Sequence, residues 1–273
     1  MKKLPTHQEM PFLDHLEELR WRIIRILVGV VVGVIVSFSV SSYILDILTL
    51  PAMRLDPPLN FQFLKVQAMF VVYLEIGLFG GLVLALPYML YEIWGFISPA
   101  LLPKEQRYII PLLFFSTFLF SVGLMFSYWI ILPLALEFFV GLAPAQIRAD
   151  IAIDLYIGFA IRLLLLFGII FQLPILSYFL AKIGLLTTHF MRTYRRHSVV
   201  VIFIAAALLT PPDPITQIFM GIPLVLLYEL SVFIVGGVEK KARKRAEEFE
   251  AEYQKEEQAV DPAVSGEDEP EQL

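Results

Sequence analysis

The chain has 273 residues, of which 58% are hydrophobic and 17% charged, with no cysteine and a mean hydropathy of +0.74. Soluble domains carry roughly 25% charged residues, so a water-soluble globule is excluded, as are a disulfide framework and a thiolate metal site. The formal charge of −5 is set by acidic residues crowded between Glu247 and Leu273, a tail too polar to fold alone and expected to be disordered beyond a frayed helix.

Residues 12–24, FLDHLEELRWRII, open the structured part. Phe12, Leu16, Leu19 and Ile23 recur at helical spacing on one side, and His15, Glu18 and Arg22 on another. The helix continues into the apolar run that follows, which lacks a nearby small-residue cleavage site and reads as a retained first span. A Glu18 to Arg22 pair at i,i+4 would stabilise that helix by only tenths of a kcal/mol.

Apolar runs of about 20 residues recur, long enough to cross a hydrocarbon core of about 30 Å, and they do not alternate as barrel strands would. The expectation is an all-α integral membrane protein with six transmembrane helices at about 22–43, 69–97, 107–137, 153–182, 194–210 and 215–237. An N-terminal segment 1–21 and a charged tail 238–273 flank this domain. Residues 44–68, with three prolines in LTLPAMRLDPPLN, read as a compact surface cap with short helical turns. Pro87, Pro111, Pro133, Pro174 and Pro223 each remove a backbone donor and favour a kinked, concave bundle. The fifth and sixth spans are short: 14 residues lie between Arg196 and Pro211, and 11 between Gln217 and Glu229. All but Arg54, Lys65, Arg148 and Arg162 of the 21 lysines and arginines fall on one face, so both termini are expected to be cytoplasmic.

Polar groups within the spans carry functional hypotheses. Arg162 is placed to snorkel or to pair with Asp150 or Asp154, and Glu75 to pair with Arg162 or Lys65. Gln172 falls near the midplane and needs a hydrogen-bond partner, from another helix of the chain or from a partner chain at that depth. Asp213, in LLTPPDPITQ, can cap the sixth span. Two acidic positions at one membrane surface, Glu18 and Glu105 of FISPALLPKEQR, suit a ligand carrying arginines, because a guanidinium offers a planar fork to carboxylate oxygens.

FLDHLEELRWRII, YEIWGFISPALLPKEQR, FGIIFQLPI and LLTPPDPITQ, in this order and spacing, resemble the signature segments of TatC, the multi-span core of the twin-arginine translocase. The resemblance runs from about residue 10 to 237. It implies a non-enzymatic, cofactor-free receptor and scaffold in the bacterial cytoplasmic membrane. Its ligands would be signal peptides with a consecutive arginine pair, on proteins exported already folded. The proton gradient would drive export, with single-helix subunits of the TatA and TatB type as partners in an oligomeric complex. By the same resemblance Glu18 and Glu105 contact the arginines. Phe96, Leu16, Arg20 and His15 support them, and Pro51, Asp213 and Gln217 serve translocation or assembly. Two positions depart from the family pattern. Gln172 stands where a glutamate is common, and the loop reads Lys104-Glu105-Gln106-Arg107, one base short. The competing readings are a small-solute secondary transporter, which would show inverted repeats and a midplane site, and an intramembrane enzyme, for which no HExxH or GxSxG sequence occurs.

Overall fold

A computed structural model of the chain describes residues 12–98, 106, 109–142, 144, 150–209 and 214–260. Helix α1 (Phe12–Ser39) carries the amphipathic opening directly into the membrane. It stops at Ser39, where the Ser39 hydroxyl donates back to the Ile35 carbonyl and Val40 turns the chain with φ −115°. Serines and β-branched residues cluster there, and both weaken a helix. A separate helix α2 (Ser41–Met53) follows at once, in place of the expected loop with short turns. Strand β1 (Asn60–Gln62) lies in the connection to α3 (Ala68–Ile97).

Beyond α3 come α4 (Ile109–Phe126), a π-turn at Ser127–Ile131, and α5 (Leu132–Gly141). Strand β2 (Asp150–Ala152) then pairs in parallel with β1, with Phe61 opposite Ile151. These two three-residue strands fix the loop after α2 against the start of α6 (Ile153–Ile170). Helices α7 (Leu173–Lys182), α8 (Thr188–Thr193), α9 (Arg195–Leu209) and α10 (Pro214–Val260) complete the bundle.

Two of the five intramembrane prolines sit at helix breaks. Pro133 lies just after the π-turn, where the carbonyl it cannot bond widens the preceding turn. Pro174 opens α7 after a turn at Phe171 and Gln172. Pro111 falls in the first turn of α4, where its missing N–H would have no partner anyway. Pro87 and Pro223 are carried inside unbroken helices.

Helix α6 is the axis of the core. Ile157, Ala160 and Phe167 on it are fully buried, packed with Val72 and Ile76 of α3, Leu132 of α5 and Leu224 and Val235 of α10. By contrast α1 packs chiefly against α3, leaving Leu27, Val31 and Ile35 more than half exposed to the lipid side. In lipid, helix association depends on close packing, and small residues permit it. A Cβ on Gly33 would stand 2.5 Å from the Gly81 carbonyl oxygen, and one on Gly81 would stand 2.5 Å from the Val34 nitrogen. The Ser37 hydroxyl, buried at the same crossing, donates to the Ile76 carbonyl at 3.3 Å.

Five helical stretches among the described residues are long and apolar enough to cross a membrane. Helix α9, with 15 residues, reaches only about 22 Å, in line with the short fifth span expected. Helix α10 differs from expectation. It runs without a break to Val260, so the tail is helical well past residue 238. Alanine, glutamate, lysine and arginine there are strong helix formers, and Arg243 bonds Glu247 at 2.7 Å one turn on. Where α10 leaves the core, Glu239 accepts hydrogen bonds from the backbone and hydroxyl of Thr188 at the start of α8.

Candidate functional site

The end of the bundle where α1 begins and α3 finishes carries a network of charges. Glu18 accepts two bonds on Oε1 from Arg22, 2.9 Å from Nε and 2.6 Å from Nη2, which is the i,i+4 pair expected from sequence. Arg22 does not stop there. Its Nη1 donates at 3.2 Å both to Oε2 and to the backbone carbonyl of Glu92 on α3. Arg25 reaches the other oxygen of Glu92 at 3.2 Å, and the Tyr88 hydroxyl donates to that same oxygen at 3.1 Å. Glu92 is only 2% exposed, and a carboxylate so buried requires this compensation. Gly95 gives Arg22 its path to Glu92, since a Cβ there would lie 2.3 Å from Nη1.

The second oxygen of Glu18, Oε2, is buried without a hydrogen-bond partner. His15 Nδ1 lies 3.9 Å from it. His15 is itself stacked on Phe96, ring centres 4.3 Å apart and planes 14° off parallel. The imidazole of this stacked pair thus stands beside an acceptor that the described residues leave unfilled. Leu16 and Arg20 are exposed on α1 outside this network. Asp14 and Glu17 are exposed too, adding negative charge around the entrance.

Of the residues singled out from sequence, the fold therefore brings together His15, Glu18 and Phe96. Glu105 lies outside the described residues, as does Asp213. The neighbour of Glu105, Gln106, donates to the Ser98 carbonyl at 3.2 Å, two residues past Phe96. Sequence reasoning missed Glu92 as a site residue. The available signal was the pair Arg22 and Arg25, three residues apart with one acid on their own helix face, opposite a lone intramembrane glutamate in PYMLYE. Trp94, one turn from Phe96's end of α3, is buried against Phe179 of α7 with centroids 4.5 Å apart, which locks α3 to α7 at this level.

The remaining candidates stand apart from the network. Gln172 donates from Nε2 to the Ser116 carbonyl of α4 at 3.0 Å, within the chain. Gln217 donates to the Phe203 carbonyl at 3.0 Å, tying α10 to α9. Pro51 is buried inside α2. Asp154 meets Lys65 at 3.9 Å and not Arg162. Among the described residues no carboxylate reaches ion-pair distance of Arg162, and Glu75 Oε2 is buried without a hydrogen-bond partner. The glutamate of the similar string LVLLYE, Glu229, pairs with Arg195 at 2.6 Å.

The profile of the family described as "Sec-independent protein translocase protein (TatC)" matches residues 14–223. The TatC protein of Desulforapulum autotrophicum is 37% identical over 265 residues, 96% of this chain and 97% of that protein. The TatC protein of Aquifex aeolicus is 38% identical over 227 residues, 82% of this chain and 94% of that one. A crystal structure of the twin arginine translocase receptor TatC superposes with a TM-score of 0.77 at 37% identity, covering 82% of this chain and 99% of that chain. The network on α1 and α3 lies inside the matched region, and the chain belongs to the TatC family of Sec-independent protein translocase proteins.

Proposed function

We propose that the chain is the receptor and scaffold of a twin-arginine export system. It binds the consecutive arginines of signal peptides on folded cargo at the cytoplasmic face of a bacterial inner membrane. The observation that carries this reading is Glu18, a carboxylate at the membrane boundary. Its Oε1 is fixed by Arg22, and its Oε2 is buried without a hydrogen-bond partner among the described residues, 3.9 Å from the His15 ring that stacks on Phe96. A buried acceptor left empty costs roughly 1–3 kcal/mol, and a guanidinium from outside would recover it while gaining a charge-assisted bond.

Arg22 acts in the free protein as an internal counter-charge. It points the Glu18 carboxylate, and Glu92, which also pairs with Arg25, holds Arg22 in turn. An incoming arginine then needs only displacement of the His15 ring, and Glu105 on the loop after α3 takes the second arginine. Leu16, exposed on the apolar side of α1, offers contact to the signal beyond its arginines, and Arg20 sits at headgroup level. The uneven helix lengths at α9 and α10 suit docking of single-helix partners of the TatA and TatB type, with Gln217, Asp213, Pro51 and Gln172 as assembly positions. Six spans with both termini cytoplasmic fit the distribution of basic residues, α9 being the short fifth. Energy comes from the proton gradient, there being no GxxxxGK[ST] loop in the sequence.

The test is site-specific crosslinking of an Arg-Arg signal peptide to the full chain in membranes. Glu18→Ala and Glu105→Ala each reduce the yield by about tenfold on this reading, from the loss of one charge-assisted bond. Yields equal to the parent in both variants remove the proposed role.

A further inference from the structure

The guanidinium of Arg22 is shared unevenly. Nε and Nη2 both donate to Oε1 of Glu18, while Nη1 alone reaches Oε2 of Glu92. The other oxygen of Glu92, Oε1, takes Arg25 at 3.2 Å and the Tyr88 hydroxyl at 3.1 Å. A carboxylate offers about two acceptor sites on each oxygen, so Oε1 of Glu92 is filled by these two groups. Its Oε2 holds one bond, from Arg22, and keeps one site over. The fork also lies across Gly95, where a Cβ would stand 2.3 Å from Nη1 and 3.3 Å from Nη2. Both arms of Arg22 therefore face the same open stretch of α3. A signal arginine that reaches Oε2 of Glu18 past the His15 ring meets only half of that carboxylate, since Oε1 is already taken by Arg22. The strong pairing of guanidinium with carboxylate uses two parallel bonds, one to each oxygen.

We propose that Glu92 is a positioning residue that takes over Arg22 when a signal arginine arrives. Nη2 moves from Glu18 to the remaining acceptor site on Oε2 of Glu92, and the incoming guanidinium closes on both oxygens of Glu18. The inference rests on the receptor reading and adds to it a source of selectivity for arginine over lysine. The count of bonds is conserved for Arg22, which exchanges one carboxylate for another. The exchange also favours the more sheltered acid. The Glu92 side chain is 2% exposed against 22% for Glu18, and a charge-assisted bond is stronger where the local dielectric is lower. Arg25 and Tyr88 stay on the other oxygen and do not compete for the vacant site. Lysine gains little from the hand-over, because its ammonium is a compact point charge without a fork, and Oε2 of Glu18 alone suffices for it.

The experiment titrates the full chain in nanodiscs with an Arg-Arg signal peptide and with the same peptide carrying Lys-Lys. The parent is compared with Glu92→Gln, Arg22→Gln, the double variant of these two, and Glu18→Gln. Glutamine at 92 leaves Arg22 a neutral acceptor, which holds a guanidinium about half as well. Glu92→Gln is expected to weaken the Arg-Arg peptide roughly tenfold, the worth of one charge-assisted bond, and to leave the Lys-Lys peptide where it was. In the Arg22→Gln chain the same change at Glu92 is expected to move neither peptide. Equal weakening of both peptides overturns the proposal, since it marks the lost negative charge and not a hand-over. A loss for the Arg-Arg peptide that persists in the Arg22→Gln chain overturns it too. So does an Arg-Arg affinity unchanged by Glu92→Gln while Glu18→Gln lowers it, and that result leaves the receptor reading standing. Parent affinity in Glu18→Gln would remove the receptor reading itself, and the hand-over with it. If thermal melting shows Glu92→Gln unfolded, Gly95→Ala takes its place with the same expectations. That variant keeps every charge and sets a Cβ against Nη1 of Arg22.

Discussion

Arg22 divides one guanidinium between two carboxylates, and that division makes the opening segment of α1 rigid. Its partners are Glu18 on the same helix and Glu92 on α3, so a change at Glu92 is felt at Glu18 without touching it. Glu92→Ala leaves Arg22 and Arg25 short of a counter-charge. Removing one partner of a fully buried pair costs about 3–5 kcal/mol, and the partial exposure of both arginines brings this to roughly 2–3 kcal/mol. Thermal melting in detergent reads the loss, and Glu92→Gln, which keeps an acceptor for Arg22, is expected to lose about half as much. The Glu18 to Arg22 bond was legible in the spacing of four, because a helix puts such residues on one face. Glu92 was not, because its partners lie 67 and 70 positions earlier and nothing local to PYMLYE shows that arginines will face it. Gln172 left two partners open on sequence alone. Its bond to Ser116 is a contact between helices that only the packing of α4 on the break before α7 decides.

Elements were the most readable level, since a run of apolar residues long enough for the bilayer can only be a helix there. What the runs concealed was where helices stop inside them. The break at Val40 and the π-turn at Ser127–Ile131 lie in stretches of uniformly apolar or small residues, and the strands β1 and β2, three residues each, are too short to show alternation. Two glycines, Gly81 at the α1 to α3 crossing and Gly237 on α10, yield predictions of opposite sign. Gly81→Val drives a side chain into the backbone of Val34, and the overpacking is expected to cost about 1–3 kcal/mol and to separate α1 from α3. Weaker crosslinking between cysteines introduced at Ser37 and Ile76 would report that separation. Gly237→Ala, with nothing within 4 Å of the added Cβ, is expected to stabilise α10 by about 0.4–1 kcal/mol. If Gly81→Val melts with the parent protein, the close approach of α1 and α3 is not what holds them together.

At the scale of the whole molecule, α1 is bound to the rest chiefly through α3, while α6 sits at the centre. The site therefore forms where a peripheral helix meets the bundle, at an edge that a peptide can reach without entering the core. The cytoplasmic placement of both termini proposed from the basic residues is directly measurable, since the sequence has no cysteine. A single cysteine at Tyr253 is expected to react with an impermeant maleimide only from the cytoplasmic side, and one at Asn60 only from the outside. Labelling of both from one side would require an even number of crossings between the two positions and contradict the five proposed there.

The central claim is that the Glu18 carboxylate receives a guanidinium of the signal. A double-mutant cycle in nanodiscs tests it most directly. The full chain and its Glu18→Gln variant are each titrated with an Arg-Arg signal peptide and with the same peptide carrying glutamines in place of the pair. A direct contact predicts a coupling of about 1.5–3 kcal/mol, with Glu18→Gln weakening only the arginine peptide. Coupling of zero, with both peptides losing affinity equally or neither losing any, would contradict the account.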